Sequence, residues 1–348
     1  MAHPDTPPGR ILCFGELMLR LGPPPGELLL QSPALTVRPG GAEANVAVSL
    51  ARLGAPAVFA TVLPDNPLGR AARDEVRRHG VDTSPVQFRD DRMGLYFVTP
   101  GAVRRPSEVL YDRADSAFVR HAHETFDWPN LFQGVEWLHV SGVTPATGPN
   151  GTAAALQVVQ AAVEAGVRVS YDGNFRGKLW AQWDGDPPGT LGAMLRTAEL
   201  AFADDRDFAL VLGRSFDSAD PTERRRQAAR AAFAAFPRLQ RIACTLRRQE
   251  SVADQTLSAV MLVRDGEEVR EVHAPATEMS DVVDRVGGGD AFAAGVLFGL
   301  WSRWTDEKAL GFGLSAAVLK HSVQGDFNLF SREEVEGAMG DGGLDIRR

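Results

Sequence analysis

Thiols, histidines and long apolar runs are all scarce in this chain of 348 residues. Its two cysteines, Cys13 and Cys244, lie in separate apolar stretches. They are too few for a disulfide scaffold, and their spacing makes no metal pattern. They read as buried thiols in a reducing compartment. No stretch of about 18 apolar residues occurs, so nothing in the chain is suited to span a bilayer. The amino-terminal MAHPDTPPGR lacks the apolar segment that a signal peptide needs. A basic excess is missing too: 37 Lys and Arg stand against 45 Asp and Glu, for a formal net charge of −8. That balance argues against the basic face of a nucleic-acid binder. The chain therefore reads as a soluble, cytoplasmic protein with no nucleic acid and no membrane among its partners. An anionic small molecule is not excluded, because arginines gathered locally can hold one against the global sign.

What is present is an α/β rhythm. Short apolar strands are expected at 11–17, 58–62, 167–172 and 241–246 and in VEWLHVSG, with a hairpin in SAVMLV and EVREVHA. Helices are expected at 42–53, 69–79, 152–165, 223–236, 290–301 and 307–321, several of them stopped by glycine. Strands alternating with helices of this length predict a mostly parallel sheet covered on both faces. Two stretches break the rhythm. Pro23 to Pro25 forbid a helix, and residues 28–37 can return as a strand. Residues 86–115 read as a hairpin of GLYFV and EVLYDR. Residues 17–40 and 86–115 together predict a small sheet standing off the main body. There is no internal repeat.

Chemistry concentrates in DVVDRVGGGDAFAAGVLFGL, residues 281–300. Gly287, Gly288 and Gly289 let backbone amides turn toward a ligand, and the helix that follows adds its positive end. The result is an anion pocket with a carboxylate, Asp290, at its lip. The plainer reading makes Asp290 a helix cap, although a cap has no need of three preceding glycines. The turn is not a Walker A loop, because no Gly-Lys-Ser/Thr follows. It is not the dinucleotide fingerprint, because Phe292 stands where a third glycine belongs. Gly295 and Gly299, inside the helix, read as a groove for close packing. A second pair, Gly40 and Gly41, precedes the helix that carries Asn45. It reads either as another pocket of backbone amides or as a tight turn.

GGAEANVAVSLARLG followed by Gly69, with DRVGGGDAFAAG about 245 residues downstream, resembles both signatures of the ribokinase-like (phosphofructokinase-B type) sugar kinases. The resemblance covers essentially the whole chain. It implies a three-layer α/β sandwich with a mostly parallel, nine-stranded-type central sheet and a small β lid over the sugar, formed by residues 17–40 and 86–115 of a single domain over 1–348. It implies Gly287, Gly288 and Gly289 as the hole for the transferred phosphoryl group and Asp290 as the general base, with ATP and Mg²⁺ required. Gly40, Gly41 and Asn45 fall on the sugar side.

Further segments resemble one branch, the 2-keto-3-deoxygluconate kinases: RMGLYFV, VLYDRADSAF, SYDGNFRGKLW, TLRRQESVADQ and LKHSVQGDFNL. Tyr111 and Arg113 share a strand face, Tyr96 lies on the neighbouring strand, and Arg176 follows the strand ending at Asp172, where ligands of parallel sheets bind. A keto-deoxy sugar acid carries a carboxylate, which a planar guanidinium matches. Arg113 and Arg176 are thus candidate carboxylate ligands, with structural ion pairing as the alternative. Where kinases of neutral pentoses have an aspartate after the first strand, this chain has Arg20. Asp326 is a candidate for a sugar hydroxyl, or else it caps a turn. Asn174 and Lys178 are candidates for phosphate contact.

Two departures from the family stand out. Its Asn-x-x-Glu metal motif is replaced by FADDRDF, which leaves Asp204 and Asp207 as candidate Mg²⁺ organisers. Its Gly-x-x-Gly nucleotide loop is replaced by a stretch in which Thr245, Arg247 and Ser251 are the candidate contacts. His121 and His123 lack a third metal ligand and read as a solvated loop, and Trp180 and Trp183 read as packing residues. The function expected is ATP-dependent phosphorylation of a 2-keto-3-deoxy sugar acid, gluconate or galactonate in configuration, with the lid edge offering a homodimer contact. The alternatives are a kinase of a neutral ketose or pentose and a non-catalytic sugar-binding relative. A nicotinamide oxidoreductase lacks its fingerprint.

Overall fold

Alternation along the first strand sets the architecture. In Arg10–Phe14, Ile11 and Cys13 face one side and Leu12 and Phe14 the other, and all four are buried. A strand buried on both faces requires cover on both faces. The computed structural model describes residues 9–340, apart from residue 267, and it supplies that cover. Ala42–Arg52, Gly288–Trp301 and Asp306–Lys320 pack on one side of the main sheet. Pro149–Glu164, Pro187–Leu195 and Pro221–Ala235 pack on the other.

The sheet has eight strands. In spatial order they are Glu268–Met279, Gln255–Asp265, Arg241–Gln249, Ala198–Phe202, Arg168–Asp172, Val135–Ser141, Arg10–Phe14 and Ala57–Ala60. The last six run parallel, and the first two add as antiparallel strands. The three-layer α/β class is as expected, but the strand count among the described residues is eight rather than nine. Parallel order gathers the carboxyl ends of the strands on one edge, and a ligand site forms there.

The small sheet is four-stranded, in the order Thr36–Gly40, Met18–Gly22, Leu95–Thr99, Glu108–Asp112. Its strands fall within the two segments expected to stand off the body. Tyr96 lies opposite both Arg20 and Tyr111, so all three face the same way. Val62–Pro64 and Gln87–Arg89 form a further, two-stranded parallel sheet.

Element boundaries move where the first turn is polar or proline-led. The helix expected from 152 begins at Pro149, and that expected from 69 begins at Pro67, because proline suits the first helical position. Asn66 caps the second of these by accepting from the amides of Leu68 and Gly69, each at 3.0 Å. The return strand expected over 28–37 is confined to Thr36–Gly40. The strand expected to stop at 246 runs on to Gln249, paired residue by residue with Gln255–Asp265.

Gly295 and Gly299 are packing residues, as expected. A Cβ on Gly295 would lie 2.7 Å from the Cα of Gly313, and one on Gly299 would lie 2.6 Å from the Cβ of Ala309. Trp180 and Trp183 stack with ring centroids 5.2 Å apart. Among the described residues no helix is long and apolar enough to cross a membrane.

Candidate active site

The two glycine turns meet. Gly41 starts the helix Ala42–Arg52, and any Cβ there would strike the carbonyl oxygen of Glu16 at 2.1 Å. Its amide donates to Asn45 Oδ1 at 3.3 Å, which fixes the amide orientation of that side chain. Asn45 Nδ2 then donates to Asp290 Oδ2 at 2.6 Å, across 245 residues of sequence. On the other side Gly287 has φ 83°, a left-handed conformation, and packs on the Asp326 backbone so tightly that only glycine fits. Gly287 occupies the cap position and Asp290 is the third residue of the helix Gly288–Trp301, which sets the capping reading of Asp290 aside. The first amides of a helix have no partner within it. Around Gly289 the space where a Cβ would sit is open, so a phosphoryl group has room to approach them.

The carboxylates at this edge are tuned. Asp290 keeps an opening to the cleft, yet burial pushes it up to about 7, against the opposing hydrogen bond from Asn45. Asp172, at the end of its strand, is pushed up to about 8 by burial, with Asp290 and Asp207 adding repulsion. Burial raises Asp207 to about 6. Asp172 was not singled out from the sequence, although it opens the Asp-Gly-Asn-Phe-Arg run that held Asn174 and Arg176. Glu43 was missed as well. It lies buried inside the first glycine signature and accepts from the backbone amide of Ser141 at 3.0 Å and from its hydroxyl at 2.6 Å.

Arg176 faces this acidic edge and is the group whose charge lowers both Asp172 and Asp290. It is exposed and makes no side-chain hydrogen bond or ion pair among the described residues. Asn174 holds φ 37°, strained for most residues but tolerated by asparagine. Lys178 is exposed on the short helix Gly177–Trp180.

Arg113 is held differently, although its Nη1 is buried without a partner among the described residues. Its guanidinium is buried and ion-paired with Glu16, Nε donating at 2.8 Å and Nη2 to the same oxygen, while Ser116 donates to the other carboxylate oxygen at 2.6 Å. A guanidinium already neutralised in this way has little charge left for a ligand carboxylate, so the structural alternative is favoured for Arg113. Asp326 is engaged on both oxygens. Arg20 donates to Oδ1 at 2.9 Å, and the Tyr96 hydroxyl donates to Oδ2. Arg20 also pairs with Asp284 at 2.7 Å. Asp284 in turn accepts from the amides of Val286 at 3.1 Å and Gly325 at 3.0 Å, so lid and anion turn share one buried charge network. Tyr111 lies beside Tyr96, ring centroids 6.2 Å apart. A cavity of about 390 Å³ opens behind the Thr36–Gly40 strand, lined by Leu19, Pro39, His79 and Phe327. It touches Asp326 but neither Asp290 nor the three glycines.

Beyond Gly288 the hairpin carries the remaining candidates. Thr245 pairs across to Ala259 within the sheet. Arg247 contacts His321 at 3.3 Å, and Arg285 lies close enough for its charge to lower Arg247. Ser251 is engaged in its own turn, accepting from the amides of Ala253 at 3.1 Å and Asp254 at 2.9 Å and donating to Asp254 at 2.8 Å. That use of the hydroxyl competes with a nucleotide contact. His121 lies within 3.4 Å of both Asp91 and Glu124.

Asp204 and Asp207 form a reciprocal capping box on the helix Asp205–Leu212. Asp204 accepts from the amides of Arg206 at 2.8 Å and Asp207 at 3.3 Å and pairs with the Arg206 side chain, and Asp207 Oδ2 accepts from the Asp204 amide at 2.8 Å. Among the described residues no group of three or more His, Cys, Asp or Glu is placed to hold a metal ion. The carboxylates of Asp204 and Asp207 are thus both engaged at the start of this helix.

An anion turn beside a carboxylate raised toward neutrality suits transfer of a phosphoryl group to an alcohol, the chemistry of a small-molecule kinase. Comparison with known proteins gives the family. The pfkB family carbohydrate kinase profile matches residues 9–329, and the chain belongs to that family. It is 35% identical over 343 residues to a 2-dehydro-3-deoxygalactonokinase of Haloferax volcanii, covering 96% of this chain and 98% of that one. It superposes on the crystal structure of 2-dehydro-3-deoxygluconokinase from Thermotoga maritima with a TM-score of 0.87 and 35% identity, covering 95% of this chain and all of that one. A fructokinase of Klebsiella pneumoniae is 29% identical over 310 residues, 84% of each chain.

The capping role of Asp204 is open to test. Asp204→Ala should lower stability by about 1 kcal/mol in denaturant unfolding and leave the Mg²⁺ titration of activity unmoved. A variant of normal stability whose Mg²⁺ dependence shifts would reverse that assignment.

Proposed function

We propose that the protein is an ATP-dependent kinase of a 2-keto-3-deoxy sugar acid. Arg176, a cation without a protein partner among the described residues, carries the reading. It stands at the strand edge where Asp172, Asp207 and Asp290 would otherwise repel an anion. The relatives named for keto-deoxy sugar acids, which match this chain over nearly its full length, support it over a neutral-sugar kinase.

In this reading Asp290 accepts the proton of the substrate hydroxyl on Oδ1, while Asn45 holds Oδ2. A carboxylate near 7 is well matched to that transfer at neutral pH. The amide at Gly289, at the helix N-terminus, holds a phosphoryl oxygen, while that of Gly288 donates to the Arg285 carbonyl at 3.3 Å and shapes the turn. Tyr96, Tyr111, Asp326, Gly40 and Gly41 border the sugar under the lid, and Arg176 holds its carboxylate. Thr245 and Arg247, with Asn174 and Lys178, serve the nucleotide side. ATP would supply the phosphoryl group, and Mg²⁺ bound with it would offset charge on the phosphates. Loose phosphoryl transfer asks the protein mainly for position and charge.

The test is a thermodynamic cycle. Arg176→Ala should raise KM for the acid by about 10- to 150-fold, the worth of a hydrogen bond to a charged group, and leave KM for ATP unchanged. An analogue with the carboxylate reduced to an alcohol should bind wild type poorly and lose little more in the variant. Equal use of acid and alcohol by wild type would hand the reading to a neutral-sugar kinase.

We also propose that the lid mediates a homodimer. Glu108–Asp112 is an outer strand of the small sheet whose second edge meets no strand among the described residues, and Val109, Leu110 and Val37 are exposed on that sheet. Sedimentation equilibrium should give a dimer that Leu110→Lys dissociates, and a wild-type monomer at micromolar concentration would refute this.

A further inference from the structure

We infer that His321 is a positioning residue, a neutral imidazole of fixed tautomer that packs on the anion turn and holds Arg247 on its far side. This rests on the reading of Arg247 as a nucleotide contact. The ring lies between two groups that leave it one protonation state. Its Nδ1 is 2.6 Å from the carbonyl oxygen of Ala317, and a carbonyl can only accept, so Nδ1 carries hydrogen. Its Nε2 is 3.3 Å from both Nη1 and Nη2 of Arg247, and a guanidinium can only donate, so Nε2 presents its lone pair. Only the Nδ1–H form satisfies both neighbours. Arg247, Lys320 and Arg285 surround the ring, and burial together with their charge, against the Ala317 contact, pushes it down to about 4.

The same residue is locked to the catalytic turn in two further ways. Its backbone carbonyl accepts from the amides of Val283 at 2.9 Å and Asp284 at 3.3 Å, just before the three glycines. Its ring lies flush against Gly288, where any Cβ would sit 2.5 Å from Cε1. Arg247 is held on its other side by Gln255, whose own amide donates to the Val252 carbonyl at 3.0 Å. A long side chain on an exposed hairpin is thereby fixed before the nucleotide arrives. Fixing it in advance removes the ordering cost that a free arginine meets on gripping phosphate. Sequence reading passed over His321 although the segment LKHSVQGDFNL was in view, because its partner Arg247 lies 74 positions away.

The experiment measures KM for ATP, KM for the sugar acid and kcat in His321→Leu, His321→Gln, Arg247→Met and the His321→Leu/Arg247→Met double variant. His321→Leu should raise KM for ATP about tenfold, with kcat and the sugar KM little changed. His321→Gln, whose side-chain oxygen accepts where Nε2 did, should restore most of the loss. In the Arg247→Met background His321→Leu should add nothing. An equal effect of His321→Leu in both backgrounds, with Arg247→Met itself harmful, would overturn the inference and leave the Arg247 assignment standing. A harmless Arg247→Met would remove that assignment and this one with it. Nitrogen-15 NMR of the full-length protein, with the resonance assigned by its loss in His321→Gln, supplies a readout independent of activity. A proton on Nε2 at pH 7 would equally refute the inference.

Discussion

The hydrogen bond from Asn45 to Asp290 is the point on which the site depends. It joins two glycine turns 245 residues apart, one opening the helix Ala42–Arg52 and the other opening Gly288–Trp301. Both helices lie on the same face of the sheet, where they pack together. The bond does two things that oppose each other. It fixes one carboxylate oxygen, leaving the second for a substrate hydroxyl. It also favours the charged form of Asp290 while burial favours the neutral form, and the balance falls at about 7. A more exposed carboxylate would be a weaker base, and one without Asn45 would hold its proton more tightly.

Charge is arranged around that point in three groups. On the strand edge, Asp172 and Asp207 are both pushed up by burial; Arg176 offsets Asp172, and Arg206 offsets Asp207. Under the lid, Arg20 neutralises Asp284 and Asp326, so the small sheet is tied to the loop that carries the anion turn. Beyond Gly288, Arg247 and Arg285 supply positive charge, with a neutral imidazole between Arg247 and the turn. A chain with net charge −8 thus keeps its cations where an acidic substrate and a nucleotide would need them. Long-range repulsion is overcome locally, inside a cleft where salt screens poorly.

Much of this was legible because glycine, proline and apolar period report local constraints. Gly287 needs its positive φ and Gly41 its missing Cβ, and both stand out in sequence. The continuous apolar run of the first strand and the break in rhythm over residues 86–115 separated body from lid. What stayed hidden were pairings between distant residues. Nothing near Arg113 announces Glu16, 97 positions away, as its partner. The capping box of Asp204 and Asp207 was not read from the sequence, although two acids three apart are its signature. The hairpin continuing to Gln249 was obscured because Arg247, Arg248 and Gln249 read as loop, while their pairing comes from the strand opposite. Asp172 ended an apolar strand, and sequence gives no sign of how many carboxylates the fold gathers beside it.

The central claim is that a near-neutral Asp290 carboxylate takes the substrate proton. Its most direct test is the pH profile of kcat/KM for the keto-deoxy sugar acid in wild type and in Asp290→Asn. A raised carboxyl is protonated below its pKa, so the wild-type rate should fall as pH drops through about 7. The amide variant keeps the contact to position 45 but cannot accept a proton, and should lose about 10²- to 10⁴-fold in rate together with the acidic limb. An Asp290→Asn enzyme retaining more than about a tenth of wild-type rate, or one that keeps the same acidic limb, would contradict the account.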